Sequence, residues 1–379
     1  MTDRNSTTGR LSAIALVAWT ALAALTIPAG MAAAAGDTTA DRVNRGVVEI
    51  VTGSSFGSSP RITEDLAAVL DDGSTRRIVP VVGKGSFQNL IDLKALRGID
   101  LAIVQADVLD EARAQKLVPG LESSITYVAK LYNEEFHLVA RDDIARAEDL
   151  AGKKVNFGVE GDGASFTASR VFSSLNIKVD ATSYDPALAL QKLKAGEIQA
   201  IAYVTAKPAP LFATVQPKDG LHLLAIPLQS KLASVYIPAR LTAEDYPGLT
   251  QGPVDTVAVG TVMVAANFVP GSMRYRNVAN FVDAFFTQFS KFQEAPRHPK
   301  WNDVNLAAEL PNWRRFPQAD AWIKQNGGAA MVMNEQDMRR IFADFLDQRS
   351  SITGGQAMTA TQKDDLFNQF KQWQSSRVQ

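Results

Sequence analysis

Four short stretches hold the residues that could do chemistry. The first is Thr52-Gly53-Ser54-Ser55-Phe56-Gly57-Ser58-Ser59, and the second is Gly83-Lys84-Gly85-Ser86-Phe87-Gln88-Asn89. The third is Gln105-Ala106-Asp107. The fourth is Gly158-Val159-Glu160-Gly161-Asp162-Gly163-Ala164-Ser165. Three of them put Gly and Ser where an apolar run gives way to a helical period. At a helix N-terminus the unpaired backbone N–H groups and the positive dipole end favour an anion. Gly also lets a ligand approach the backbone closely. That chemistry is binding rather than bond breaking. Each loop alone reads equally as a turn with an N-cap. The case rests on four such turns at corresponding positions. Lys84 and Arg61 offer partners for a carboxylate ligand, or are surface charge. Gln105 and Asp107 orient a ligand, or cap the next helix. The stretch 158–165 lacks the GK[ST] ending of a P-loop and the G-x-G-x-x-G dinucleotide fingerprint. Glu134 and Glu135 form an adjacent acid pair without a base and nucleophile at recognisable spacing, so a hinge or surface role is expected.

The elements that must position these loops alternate along the chain. Apolar strands are expected at 47–53, 76–84, 100–107, 125–132 and 136–141, with Pro80 marking an edge or irregularity in the second. Helical periods fall between them, as with Ile62, Leu66, Val69 and Leu70 after Pro60. Strands alternating with helices predict an α/β lobe with a largely parallel sheet. The pattern restarts near 145, giving a second lobe with strands at 198–204 and 221–226. Residues 241–255 are turn-rich, and 256–266 form one strongly apolar strand or two in succession. A helix over 278–293 buries Val278, Phe281, Val282, Phe285 and Phe289. Two later helices carry Met338, Ile341, Phe342 and Phe345, then Phe370 and Trp373, on apolar faces. Their aromatic stripes read as core rather than as a ligand platform. The expected divisions are 1–35, 47–141, 142–255, 256–325 and a helical extension over 326–379.

The chain has 379 residues, 46% of them hydrophobic, which suits two globular lobes and excludes disorder as the main state. There is no Cys, which excludes disulfides, a thiol nucleophile and Cys-ligated metal. The three His, His137, His222 and His298, are far apart, so no His-rich metal site and no cofactor are expected. Lys and Arg (39) balance Asp and Glu (40), which removes any global bias towards nucleic acid.

Residues 1–10 carry Arg4 and Arg10, 11–29 are almost wholly apolar, and a run of Ala ends at Ala35. This describes a secretory signal peptide cut near Ala35; a retained anchor is the alternative. A cysteine-free exported chain fits a bacterial periplasm.

Several pieces, in order, resemble the solute-binding receptors of the TAXI class of TRAP transporters. They are KGSFQNLIDLKALRGIDLAIVQAD (84–107), LYNEEFHLVAR (131–141), DLAGKKVNFGVEGDGAS (149–165), LKAGEIQAIAYVTAKP (193–208) and VDTVAVGTVMVAANFV (254–269). The resemblance runs from about Val48 to about Val264, and more loosely to Trp322. It implies a two-lobed type II periplasmic binding protein, a Venus flytrap that closes over a small solute and presents it to a TRAP-type membrane permease. It further implies a small carboxylate or amino acid as solute. It implies a cleft lined by residues 53–58, Gly85, Ser86, Asn89, Gln105, Asp107, residues 161–165, and Tyr203 to Lys207 with Thr205. Two stretches depart from the family. Gly57-Ser58-Ser59-Pro60-Arg61 stands where Gly-Gly-x-Tyr-Tyr-Pro is usual. Gly161-Asp162-Gly163-Ala164 stands where Gly-Ser-Gly-Thr is usual. An Asp162 carboxylate near a carboxylate ligand would repel it by roughly 1 kcal/mol or more, unless Arg61 or Lys84 intervened.

The expectation is therefore a monomeric, non-enzymatic solute receptor, with strands near 132–142 and 256–266 as the hinge. A ligand sensor or scaffold docking on a signalling membrane partner is the alternative. An enzyme on the same fold is disfavoured by the lack of a nucleophile with its base.

Overall fold

The computed structural model describes residues 43–326 and 358–375, together with Thr39, Phe342, Ala343 and Leu346. The expected signal peptide lies outside the described residues. So do Met338, Ile341 and Phe345, and the side chains of Phe370 and Trp373. The body from Asn44 onward is a single compact unit, and the architecture below is that body's.

Strand β1 (Val47–Thr52) pairs in parallel with β2 (Arg77–Val82) and β3 (Ile99–Gln105). Helices α1 (Ser59–Leu70), α2 (Ser86–Ala95) and α3 (Ala106–Ala114) follow these strands in turn. Pro60 sits in the first turn of α1, where its missing N–H goes unnoticed, and Ile62, Leu66 and Leu70 bury one stripe. β2 is an edge strand, which accommodates Pro80. A single turn, α4 (Leu121–Ser124), then leads into β4 (Ile125–Arg141).

The second half contains β5 (Lys154–Asn156), α5 (Gly163–Ser174), β6 (Asp180–Thr182), α6 (Pro186–Lys194) and β7 (Ala200–Thr205). Short β8 (Leu221–Leu223) and β9 (Ile237–Leu241) complete it, before β10 (Val254–Ala266) returns. Helices α7 (Met273–Thr287) and α8 (Pro317–Gln325) pack on the first half. Helix α9 spans Ala360–Ser375, and its Phe367 ring lies 5.6 Å from that of Phe342.

The sheet order is β2-β1-β3-β10-β4-β7-β5-β6. Among the described residues, only β4 and β10 run through both halves. Residues 125–135 of β4 pair with β10, and 135–140 pair with β7. Residues 261–265 of β10 pair with β3, and 254–258 pair with β9. At about 3.3 Å per residue, the 17 residues of β4 reach roughly 55 Å, enough to serve two lobes. This is the two-lobed α/β architecture of the type II periplasmic binding fold.

Two strands expected at 125–132 and 136–141 are one. The polar Asn133-Glu134-Glu135 between them suggested a break, but Glu134 and Glu135 are buried and partnered within the strand. The apolar run 256–266 is likewise one strand, bulged between Gly260 and Val262. The helix expected at 278–293 starts earlier, where Ser272 caps it by accepting from the Tyr275 N–H. It ends at Thr287, and a 3₁₀ turn follows over Phe289–Gln293. Strand β9 lies between the strand expected at 221–226 and the connection expected at 241–255, and no apolar run announced it.

Phe281, Phe285, Phe292 and Trp301 are fully buried together, with the Phe292 and Trp301 centroids 4.7 Å apart. Truncating one such ring costs about 3–5 kcal/mol. Leu90, Leu93, Val104 and Leu109 form the cluster on the opposite face of the first lobe. Phe136, Phe157 and Phe172, and separately Leu190, Phe212 and Tyr246, centre the clusters of the second. Among the described residues, no helix is long and apolar enough to cross a membrane.

Candidate functional site

The loops identified in the sequence meet where the carboxyl ends of β1, β3 and β7 face the start of α5. Each is fixed by its own lobe. The Gly53 N–H donates to Ser59 Oγ at 2.8 Å, which sets the turn into α1. Asn89 Nδ2 donates to Thr52 O (2.7 Å) and Ile103 O (3.2 Å), tying the ends of β1 and β3 together. Ser86 Oγ accepts from the Gln105 N–H at 2.9 Å. These bonds build a rigid rim on the first lobe.

Across from it, Asp162 lies just before α5. Ser54 Oγ donates to Asp162 Oδ2 at 2.7 Å, and Tyr203 OH donates to Phe56 O. Both bonds join the lobes. Gly85 has φ 140°, and a Cβ there would stand 2.5 Å from Asp162 Cα. A Cβ on Gly163 would stand 2.0 Å from Gln105 Oε1. Glycine is thus what lets the two rims touch.

Between the rims is a cavity of about 30 Å³, space for one or two waters. Of the residues expected in the cleft, Gly53, Ser54, Gly57, Ser86, Gln105, Asp162, Ala164 and Tyr203 line it. Val204, within the expected 203–207 stretch, also lines it, as do Glu134, Ser59, Thr261 and the apolar Ile103 and Val104, which were not expected there. Ser58 lies behind the wall, donating to Glu134 Oε1 at 2.6 Å. Gln105 Nε2 donates to Glu134 Oε2 at 2.7 Å, whereas Gln105 Oε1 is buried without a partner.

Other expected residues stand elsewhere. Asn89 is structural, as described. Asp107 is fully buried, and its Oδ2 accepts from Thr167 Oγ1 (2.7 Å) and Tyr236 OH (2.9 Å). It is a latch between lobes rather than part of the cavity wall. Ser55 and Phe56 face solvent, while Gly161, Gly163, Ser165 and Thr205 are outside the lining. Lys207 is engaged by Asp245 Oδ2 (3.0 Å) and Arg240 O (2.8 Å). Arg61 is half-exposed and turns to Pro296 O (3.0 Å), Glu64 and Asp65. Lys84 is exposed. Neither cation pairs with Asp162. A period of two explains the oversight at Glu134: on a buried crossing strand, adjacent carboxylates point to opposite faces. Glu134 enters the cavity, and Glu135 accepts from Lys300 Nζ at 2.5 Å.

The cavity is electrostatically one-signed. Its titratable residues are Glu134, Asp162 and Tyr203, with no Lys, Arg or His in the lining. Burial pushes Glu134 up to about 7, against the Ser58 and Gln105 hydrogen bonds and with help from the nearby Asp162 and Glu135 charges. Burial also raises Asp162, opposed by the Ser54 hydroxyl and the adjacent Gly163 and Ala164 N–H groups. Tyr203 is raised by burial and then by the two carboxylates. Among the described residues no cluster suits a metal ion. A wider depression of about 380 Å³ beside α7 is open and shallow, and its Asp283 already accepts from Gln318.

Residues 50–309 match the NMT1-like family. No curated protein matches the chain. Among solved structures it is similar to the periplasmic binding protein BugD, at 11% identity and TM-score 0.45, over 74% of this chain and 93% of that one. A TctC solute binding protein from Polaromonas gives 15% and 0.37, over 64% and 88%. The aliphatic sulphonate binding protein SsuA from Escherichia coli gives 16% and 0.39, over 79% and 87%. With more than half its length matched, and its strands ordered around two through-going crossings, the chain is a member of the NMT1-like family.

Proposed function

We propose that the protein is a periplasmic solute receptor that closes two lobes over a small polar solute and presents it to a membrane permease. The carrying observation is the cavity itself. It is walled by loops from both lobes that meet across Ser54–Asp162 and its neighbours, while β4 and β10 are the strands shared by both lobes among the described residues. In this reading Gly53, Ser54, Gly57, Ser86, Gln105, Glu134, Asp162 and Tyr203 hold the solute. The hinge lies where β4 passes Asn133 and β10 passes Gly260. The solute favours the closed state by contacting both lobes only there. The ordered motifs at 84–107, 149–165 and 193–208 support a TAXI-class receptor working as a monomer with a TRAP-type permease. Residues 1–35 would be its secretory address, and its role is capture rather than catalysis.

The test is small-angle scattering of the full chain, with solutes first found by thermal shift. A binding solute should raise the midpoint with concentration and narrow the distribution of radii. A solute that raises the midpoint without altering the scattering of either the protein or a hinge variant would refute capture by closure.

A further inference from the structure

We propose that this cleft selects solutes through a cationic nitrogen head, a primary ammonium or a guanidinium, and disfavours free carboxylates. The inference rests on the receptor reading above and names its solute class.

The cavity's charged groups are both acceptors, and no cationic donor lines it. Glu134 and Asp162 both face it. Gln105 Oε1 has no hydrogen-bond partner, and the residue is 5% exposed. Its Nε2 is spent on Glu134, which leaves the oxygen as an acceptor waiting for an N–H or O–H. An ammonium or guanidinium carries several donors and no acceptor. It would answer both carboxylates and the orphaned oxygen at once.

An anion finds no counterpart. The helix end that could have received one is already faced by a carboxylate of the chain itself, since Asp162 sits at the start of α5. Lys84, next to Gly85, is exposed and outside the lining, and the other cations nearby in sequence or space are committed. Arg61 serves Pro296 O, Lys207 serves Asp245, and Lys300 serves Glu135 and Asp303. The hydroxyl of Ser54 now donates to Asp162 from the opposite lobe. It stands where a solute N–H would stand, and it can yield. The space of about 30 Å³ admits only a head group. A longer body requires the Tyr203–Phe56 contact to part.

The experiment is calorimetric titration of the full chain with putrescine, agmatine and L-arginine, alongside glutarate, 2-oxoglutarate and glucose. At least one cationic probe should bind. Asp162→Asn and Glu134→Gln should each weaken it at least tenfold, while Asp283→Asn, a carboxylate away from the cleft, leaves it unchanged. Thermal melting shows that each variant is folded. Binding of glutarate or 2-oxoglutarate that tightens in Asp162→Asn would overturn the cationic class and leave the receptor reading standing. The same holds for binding of glucose alone. Silence from every probe, with scattering unchanged by all of them, would overturn both.

Discussion

Gly163→Ala is the sharpest perturbation of the closed arrangement. Gly163 opens α5, and its φ lies outside the left-handed range, so alanine suits the backbone. The added methyl would stand 2.0 Å from Gln105 Oε1, 2.8 Å from Gln105 Cδ and 2.8 Å from Ser86 Oγ. Those atoms belong to the opposite lobe, and Gln105 must retreat by about an ångström or more. It is held by its hydrogen bond to Glu134 and, through its backbone, by Ser86 itself. Losing a buried bond to a charged acceptor costs about 1.5–3 kcal/mol. The gain in helix propensity, at most about 1 kcal/mol, is common to open and closed states and cancels between them. The closed state therefore loses about 2 kcal/mol, which lowers solute affinity roughly 30-fold. Scattering should show a larger radius of gyration, while urea unfolding shows the lobes intact. An unchanged radius together with unchanged affinity would refute the view that close packing of these two loops governs closure.

Glu134 predicts a pH dependence. Its folded value of about 7 exceeds the ordinary 4.5, so the native state keeps a proton that the unfolded chain has released. Stability should fall as pH rises from about 4.5 to about 7, by on the order of 3 kcal/mol, with Asp162, Glu135, Tyr132 and Tyr203 as the groups around it. Glu134→Gln should make that slope shallower in urea titrations at a series of pH values, the rest coming from the other buried carboxylates such as Asp100; parallel curves for the two proteins would contradict it. Asp107 and Thr167 should show a coupling of about 1–3 kcal/mol in a double-mutant cycle of Asp107→Ala with Thr167→Val, and additivity would remove the latch. Lys300→Met leaves Glu135 buried beside an apolar chain and should destabilise by about 3–5 kcal/mol. Adding Glu135→Gln should restore much of it, and no recovery in chemical denaturation would mean the ion pair is not the cause.

The strand–helix alternation was readable because each apolar run is short and each helix buries residues at helical spacing, as Ile62, Leu66 and Leu70 do. The rims were readable for a similar reason: Gly and Ser mark where β1 and β2 turn into helices. What sequence could not show was direction. Arg61 is four residues from the Gly57 turn, yet α1 carries it away from the cleft towards Pro296. Asp107 is two residues beyond Gln105, and one turns to the other lobe's Thr167 while the other turns to Glu134. Glu134 itself was hidden because a charged pair inside an apolar run looks like a break. Only pairing on both sides of β4 makes it a buried floor. Asn89 was placed in the cleft by pattern, but its amide is consumed by the strands it staples.

The two strands that end the main sheet order bear on a different hazard, the adhesion of one chain's strands to another's. β2 ends the sheet on one side with Val79 and Val82 exposed, which would make an adhesive row of backbone donors and acceptors. Pro80 interrupts that row by removing a donor from its middle, and Arg77 adds a charge. β6 closes the other side with only three residues, headed by the exposed Asp180. The sheet is thereby kept from growing into fibres at both of its ends, by an imino acid on one and by brevity on the other.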